Sequence, residues 1–126
     1  MVKLTNKELL EKVPVLNELG ARRLPVKVSY AIAKNMDKVE RELKIYNEER
    51  RKIINEHCLR DKDGNLKITD GNYDIDPNRI IEFNNTIDDL QNIEVEFEVH
   101  KFNICLLEGF EMTPNELMQI DFMIEE

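Results

Sequence analysis

The stretch from Val26 to about Leu59 constrains this chain most, because it contains neither glycine nor proline. Apolar side chains recur along it with the 3.5-residue period that is typical of helix–helix seams. At 1.5 Å per residue such a helix is about 50 Å long, more than a chain of this size needs to enclose one core. The sequence therefore predicts one long helix that protrudes, bends, or packs on a second copy in a homo-oligomer. The two interleaved sets of the seam are Ile32, Val39, Tyr46 and Ile53, and Met36, Leu43, Arg50 and His57.

A capping box predicts the first helix. The Thr5 hydroxyl and the Glu8 carboxylate can each bond the other residue's backbone amide. The apolar residues that follow share one face, which predicts an amphipathic helix over residues 6–19. Pro14 removes a backbone donor, so we expect a kink or break just before it, and Gly20 suits a C-terminal cap.

Three further elements are predicted in the second half. Asp76-Pro77 is typical of a helix start, and apolar residues continue that helix to about Asn92. From Ile93 the hydrophobic period changes to two, which predicts a half-buried strand. A second capping box at residues 113–116 predicts a terminal helix. The side chains expected to pack from this helix on the core are Leu117, Ile120, Met123 and Ile124, with Met118 and Phe122 widening that face.

Turn residues complete the predicted fold. Asp70-Gly71 lies between short apolar segments, which predicts a hairpin around residues 70–72. With the strand from Ile93, residues 66–75 and 93–102 are expected to form a two- or three-stranded element. We therefore expect a mainly helical α+β fold, with a long central helix, a small antiparallel β element and a C-terminal helix, in a single domain over residues 1–126.

The charge of the chain is unevenly distributed. Residues 1–62 carry 15 Lys+Arg and 10 Asp+Glu, whereas residues 63–126 carry 3 and 16. This division can mark a surface that attracts a charged partner, or it can place basic helices beside the acidic half within the chain or across a homodimer. The net charge of −8 disfavours direct DNA binding. We also expect no membrane segment and a cytoplasmic location, since no apolar run could span a bilayer and the two cysteines are far apart.

Motifs for metal binding or catalysis are weak. Residues 61–65 resemble the start of a calcium loop, but Leu66 replaces the glycine of such loops and Asn72 replaces their bidentate glutamate, so an ordinary polar turn is favoured. Glycine-rich phosphate loops and a nucleophile elbow are absent, so the sequence predicts a non-enzymatic protein without a cofactor. Four residues are of the types that bind zinc, but they lack the close sequence spacing of zinc ligands. Structural roles are therefore favoured, with a histidine in the helix seam and a buried thiol. The four residues are His57, Cys58, His100 and Cys105.

Hydrogen-bond donors cluster where the long helix begins. Proline near a helix start, with lysine, serine and tyrosine in the first turns, places these donors at the positive end of the helix dipole. Such a cluster can hold a phosphate or carboxylate; alternatively, Tyr30 packs on the first helix and the lysines are solvated. The candidate ligand contacts are Arg22, Arg23, Lys27, Ser29, Tyr30, Lys34 and Asn35.

Several segments together resemble one family over most of the chain. They are Leu24-Pro-Val-Lys-Val-Ser-Tyr-Ala-Ile-Ala-Lys-Asn35, the charged long helix, a loop rich in Asp, Gly and Asn, Thr113-Pro-Asn-Glu-Leu-Met118 and the terminus Met-Ile-Glu-Glu. This pattern resembles small phage and prophage proteins of Gram-positive bacteria. The resemblance implies a phage-encoded accessory protein in the host cytoplasm, and it carries no catalytic residues over to this chain.

The function expected from these features is non-catalytic binding in phage counter-defence. The donor cluster could sequester a small anionic, nucleotide-derived immune signal, especially if two chains combine their clusters. The acidic half could instead occlude a basic host defence protein. The alternative is a phage structural, assembly or regulatory protein that acts through protein contacts of the long helix.

Overall fold

The computed structural model describes residues 1–125 and confirms a mainly helical α+β fold with one long helix. The chain forms two compact units, residues 44–93 and the remainder on either side of them, and the expectation of a single domain stays a prediction. The elements, in chain order, are β1 (Val2–Thr5), α1 (Asn6–Gly20), α2 (Val26–His57), β2 (Ile68–Thr69), β3 (Asn72–Tyr73), α3 (Ile80–Gln91), β4 (Glu94–Phe97), β5 (Phe102–Asn103), α4 (Pro114–Ile120) and β6 (Ile124–Glu125), with 3₁₀ turns at Ile104–Leu107 and Asp121–Met123.

Helix α1 begins at the predicted capping box. The Glu8 amide donates to the Thr5 hydroxyl and the Thr5 amide donates to the Glu8 carboxylate, each over 3.1 Å. The helix continues through Pro14 without a break, and Pro14 lies on its exposed face. The predicted glycine cap is wrong, because Gly20 is still helical and Ala21 follows it in a right-handed conformation. No left-handed residue is needed, since the Ala21 N–H bonds the carbonyls of the last turn.

Helix α2 confirms the predicted long helix to within two residues of its end. Its buried face follows the predicted seam at most positions, with two local changes. Asn35 is buried where Met36 was expected, and Ile54 is buried where Ile53 was expected, while Arg50 is exposed. The buried residues of α2 are Val28, Ala31, Ile32, Asn35, Val39, Leu43, Tyr46, Ile54 and His57.

The β structure consists of three two-stranded sheets within residues 1–125. Strand β1, which the sequence analysis did not predict, pairs antiparallel with β4. Strands β2 and β3 form the predicted hairpin, and both turn residues, Asp70 and Gly71, have the positive φ of a type I′ turn. Strands β5 and β6 pair in parallel. The expectation that residues 66–75 and 93–102 form one element is therefore wrong, because β2 and β3 pair only with each other, whereas β4 pairs with β1.

Two predicted helix boundaries are also wrong. The Asp76 carboxylate accepts the amide of Asn78 two residues on, and its carbonyl accepts the Arg79 amide, so the chain makes a turn before α3 begins at Ile80. Helix α4 does begin at the Thr113 capping box, but it ends at Ile120. Ile124 is therefore in a strand rather than in the terminal helix.

The unit formed by residues 44–93 contains the second part of α2, the hairpin and α3. His57 is buried, with Nδ1 2.8 Å from the Ile53 carbonyl and Nε2 3.3 Å from the Glu82 carboxylate. The Asp61 carboxylate accepts the backbone amides of Asp63 and Asn65, which is the polar-turn interpretation of this segment. The Asp61 oxygen that would be the first ligand of a calcium loop therefore accepts two backbone hydrogen bonds within the turn.

The other unit is built on α1, the first part of α2 and α4. Helix α1 packs against α4, and β1 joins the start of the chain to β4. The fully buried large apolar side chains of this core are Leu9, Leu16, Leu19, Val28, Val39, Ile120 and Met123. No helix within residues 1–125 has both the length and the apolar character needed to cross a membrane.

Candidate functional site

A pocket of about 510 Å³ lies at the start of α2, within one unit of the structure. The first turn of α2 is fixed by the Pro25 carbonyl, which accepts the amides of Val28 and Ser29, each over 3.0 Å. This turn presents Lys27 and Tyr30 to the pocket. The opposite wall comes from the chain around β5 and from the end of β6. The lining residues are Val26, Lys27, Tyr30, His100, Lys101, Phe102, Asn103, Leu106 and Glu125.

Asn35 holds the opposite wall in place. Its side-chain amide is fully buried and makes two bonds to the backbone of His100. Nδ2 donates to the His100 carbonyl over 2.8 Å, and the His100 amide donates to Oδ1 over 2.8 Å. This paired bond fixes the backbone of His100, and with it the neighbouring Lys101, relative to α2. Asn35 therefore holds the wall that contains His100 and Lys101 in place without lining the pocket itself.

An aromatic and cationic edge borders the pocket. The Tyr30 ring is 52% exposed and meets the His100 ring edge-on, with centroids 5.1 Å apart. Lys34 Nζ lies 5.5 Å from the centroid of the Tyr30 ring, a cation–π distance. Lys34 is thus linked to the pocket through Tyr30.

The charges that line the pocket favour an anion. Lys27 and Lys101 are the basic residues of the lining, and Glu125 is its acidic residue. The lining can therefore attract an acidic group to its two lysines, with the Tyr30 ring available for contact with a flat ring system.

Two predicted contacts lie outside this pocket. Arg22 forms ion pairs of 2.6 Å with both Glu18 and Glu116. These partners raise the pKa of the guanidinium, with Glu18 contributing most. Arg23 is exposed and is not part of the pocket lining. The structure thus places these two arginines apart from Lys27.

The remaining predicted contacts differ in their roles. Lys27 and Tyr30 line the pocket, and Lys34 lies at its edge. The Ser29 hydroxyl lies 3.5 Å from the Leu24 carbonyl, at the helix start. Asn35 is buried behind the pocket. That these residues contact a ligand stays a prediction.

The sequence analysis missed the second wall of the pocket. Residues 100–106 and Glu125 are distant in sequence from α2, and Asn35 contacts a residue 65 positions away. The one local signal was the polar pair His100-Lys101 directly after the alternating segment. Within residues 1–125 no three His, Cys, Asp or Glu residues come together to hold a metal ion.

Comparison with known proteins adds no further constraint. The chain matches no protein-family model, no curated protein and no solved structure.

Proposed function

We propose that this protein binds a small anionic ligand of nucleotide size in the pocket at the start of α2, without changing it chemically. The observation that carries the proposal is the pair of lysines, Lys27 and Lys101, that face one pocket beside the Tyr30 ring. A volume of about 510 Å³ is typical of pockets that enclose most of a small organic ligand. A phosphate between the lysines and a base against the tyrosine match this chemistry.

The biological role that we propose rests on the resemblance to small phage proteins. A non-catalytic pocket for a nucleotide-like anion fits a phage-encoded protein that sequesters a nucleotide-derived immune signal in the host cytoplasm. Sequestration requires only tight binding and a high copy number. A homo-oligomer is part of this proposal, because several chains would bind several ligands in one particle.

Isothermal titration calorimetry tests the pocket directly. The wild-type chain is titrated with 5′-nucleotides, ADP-ribose and cyclic dinucleotides, and the same titrations are repeated with Lys27→Ala/Lys101→Ala. Each lysine gives a charge-assisted contact, so the double variant should bind about 100-fold more weakly. Both side chains are exposed, so the melting temperature should stay within about 2 °C of the wild-type value.

The matched control is Lys44→Ala/Lys62→Ala. It removes the same charge from two exposed positions outside the pocket. Binding by this control should equal wild-type binding at physiological salt, because charges further away than about 8 Å are screened. Equal affinity in the pocket variant and the wild type would contradict the proposed site. Equal losses in both double variants would show that net charge, rather than the pocket, attracts the anion.

A second candidate is a phage structural, assembly or regulatory role through α2. The exposed Ile45 favours it, because 59% of this large apolar residue is accessible among the charged side chains of Arg41, Glu48 and Glu49 on the same part of α2. Co-purification of wild type and Ile45→Glu from cells tests this candidate. If the chain binds none of the nucleotides and both variants retain the same partner protein, neither role is supported. Loss of a partner on Ile45→Glu would favour the second candidate.

A further inference from the structure

A second concave surface lies between the 3₁₀ turn at Ile104–Leu107 and α4. It is a groove of about 250 Å³ and it shares no residue with the pocket at the start of α2. Two of its large apolar side chains are accessible to solvent, since Ile104 is 49% and Phe110 is 42% exposed. The lining residues are Ile104, Leu107, Glu108, Phe110, Met112 and Leu117.

The chain segment that forms this groove is acidic. Residues 102–125 contain no lysine or arginine. Glu108 lines the groove, and the exposed Glu111 lies between two of its lining residues in sequence. Arg22 lines a neighbouring hollow with Glu111 and Met112, and its guanidinium is paired with Glu18 and Glu116. An occupant of complementary charge therefore carries lysine or arginine beside its apolar face.

The groove also has an adaptable lining. Met112 contributes a flexible thioether side chain to it. Thioether side chains repack around different apolar surfaces at little cost. Apolar grooves of this kind bind amphipathic helices through side chains spaced three and four residues apart.

From the apolar lining and the acidic rim we propose that this groove is a docking site for a basic amphipathic helix of a partner protein. The apolar face of that helix contacts Ile104, Phe110 and Met112, and its flanking lysines or arginines face Glu108 and Glu111. This interaction does not depend on the proposed function, because it uses a different surface.

Fluorescence anisotropy with a synthetic peptide tests the proposal. The probe is a labelled peptide of about five helical turns that consists of leucine on one face and lysine on the other. One control peptide has the same composition with its leucines scattered, and another carries glutamate in place of lysine. The first peptide should bind about tenfold or more tightly than either control.

Variants of the full chain locate the binding. Ile104→Glu/Phe110→Glu changes two half-exposed groove residues and should weaken binding about tenfold or more. Ile81→Glu, at a position 76% exposed on α3, should bind as wild type does. Lys27→Ala/Lys101→Ala should also leave peptide binding unchanged. Circular dichroism and urea unfolding confirm that each variant is folded.

A charge variant keeps the test valid if the apolar double variant does not fold. Glu108→Lys/Glu111→Lys changes only exposed side chains and should weaken binding of the basic peptide about tenfold. Equal binding of the scattered-leucine peptide, or unchanged binding in these variants, would overturn the proposal. A wild-type dimer that dissociates in Ile104→Glu/Phe110→Glu by sedimentation would overturn it as well, because a second copy would then occupy the groove.

Discussion

Replacing Asn35 with alanine tests how the two walls of the pocket are held together. The substitution removes two hydrogen bonds of 2.8 Å to the backbone of His100. Each is worth about 1–1.5 kcal/mol, so the loss is about 2–3 kcal/mol. Alanine returns about 0.5 kcal/mol through its higher helix propensity. The free energy of unfolding should therefore fall by about 2 kcal/mol.

Urea unfolding measures this change. With a slope of about 1–3 kcal/mol per molar urea, a loss of about 2 kcal/mol lowers the midpoint by about 1 M. Asn47→Ala is the matched control, because Asn47 is exposed on the same helix, and it should change stability by less than about 0.5 kcal/mol. Asn35→Asp keeps an acceptor for the His100 amide but lacks the donor to its carbonyl, so it should also be destabilised.

The same variant has a functional consequence. His100 and Lys101 line the pocket, so a chain that loses the Asn35 bonds should also bind an anion more weakly. A change in stability below about 0.5 kcal/mol for Asn35→Ala would refute the reasoning, because a fully buried amide with two bonds cannot be removed at so little cost. Calorimetry on the folded fraction separates the loss of binding from the loss of stability.

Three other predictions concern stability. Hydrogen bonding from Thr113, and then from Arg22, holds the pKa of Glu116 below its usual 4.5. The ionised carboxylate therefore stabilises the fold above about pH 4.5, and this contribution is lost as the pH falls through the lower pKa of the folded state. Urea unfolding should show a difference in stability between wild type and Glu116→Gln at pH 7 that becomes smaller at pH 3. Burial lowers the pKa of Lys12, so wild type should gain stability relative to Lys12→Met as pH rises towards 10.5, measured by thermal unfolding across alkaline pH. Gly71→Ala places a side chain at φ +81°, which should cost about 1 kcal/mol in urea unfolding, and an unchanged midpoint would contradict the turn geometry.

The sequence predicted those features that local chemistry determines. The Thr5 and Thr113 capping boxes form as expected, because each uses residues only three positions apart. The hairpin at Asp70-Gly71 forms because these two residues tolerate positive φ. The length of α2 follows from the absence of glycine and proline.

The errors have two physical causes, a competing local hydrogen bond and contacts between residues that are distant in sequence. Asp76 carries a helix-start signal, but its carboxylate bonds the nearer Asn78 amide and makes a turn instead. Strand β1 has only four residues, and its pairing partner lies about ninety positions away, so no local pattern predicts it. Burial of Asn35 in place of Met36 likewise depends on a bond to His100. The pocket was predicted on one wall only, since the other wall is brought to it by these distant contacts.

Native mass spectrometry most directly tests the central claim, that the pocket holds a small anion. The protein is purified gently from cells and its mass is measured before and after denaturation, for wild type and for Lys27→Ala/Lys101→Ala. The account predicts a released mass of nucleotide size from the wild type and its loss from the variant, with the same oligomer in both. A wild-type chain that is bare, and stays bare after incubation with 5′-nucleotides, ADP-ribose and cyclic dinucleotides, would contradict it.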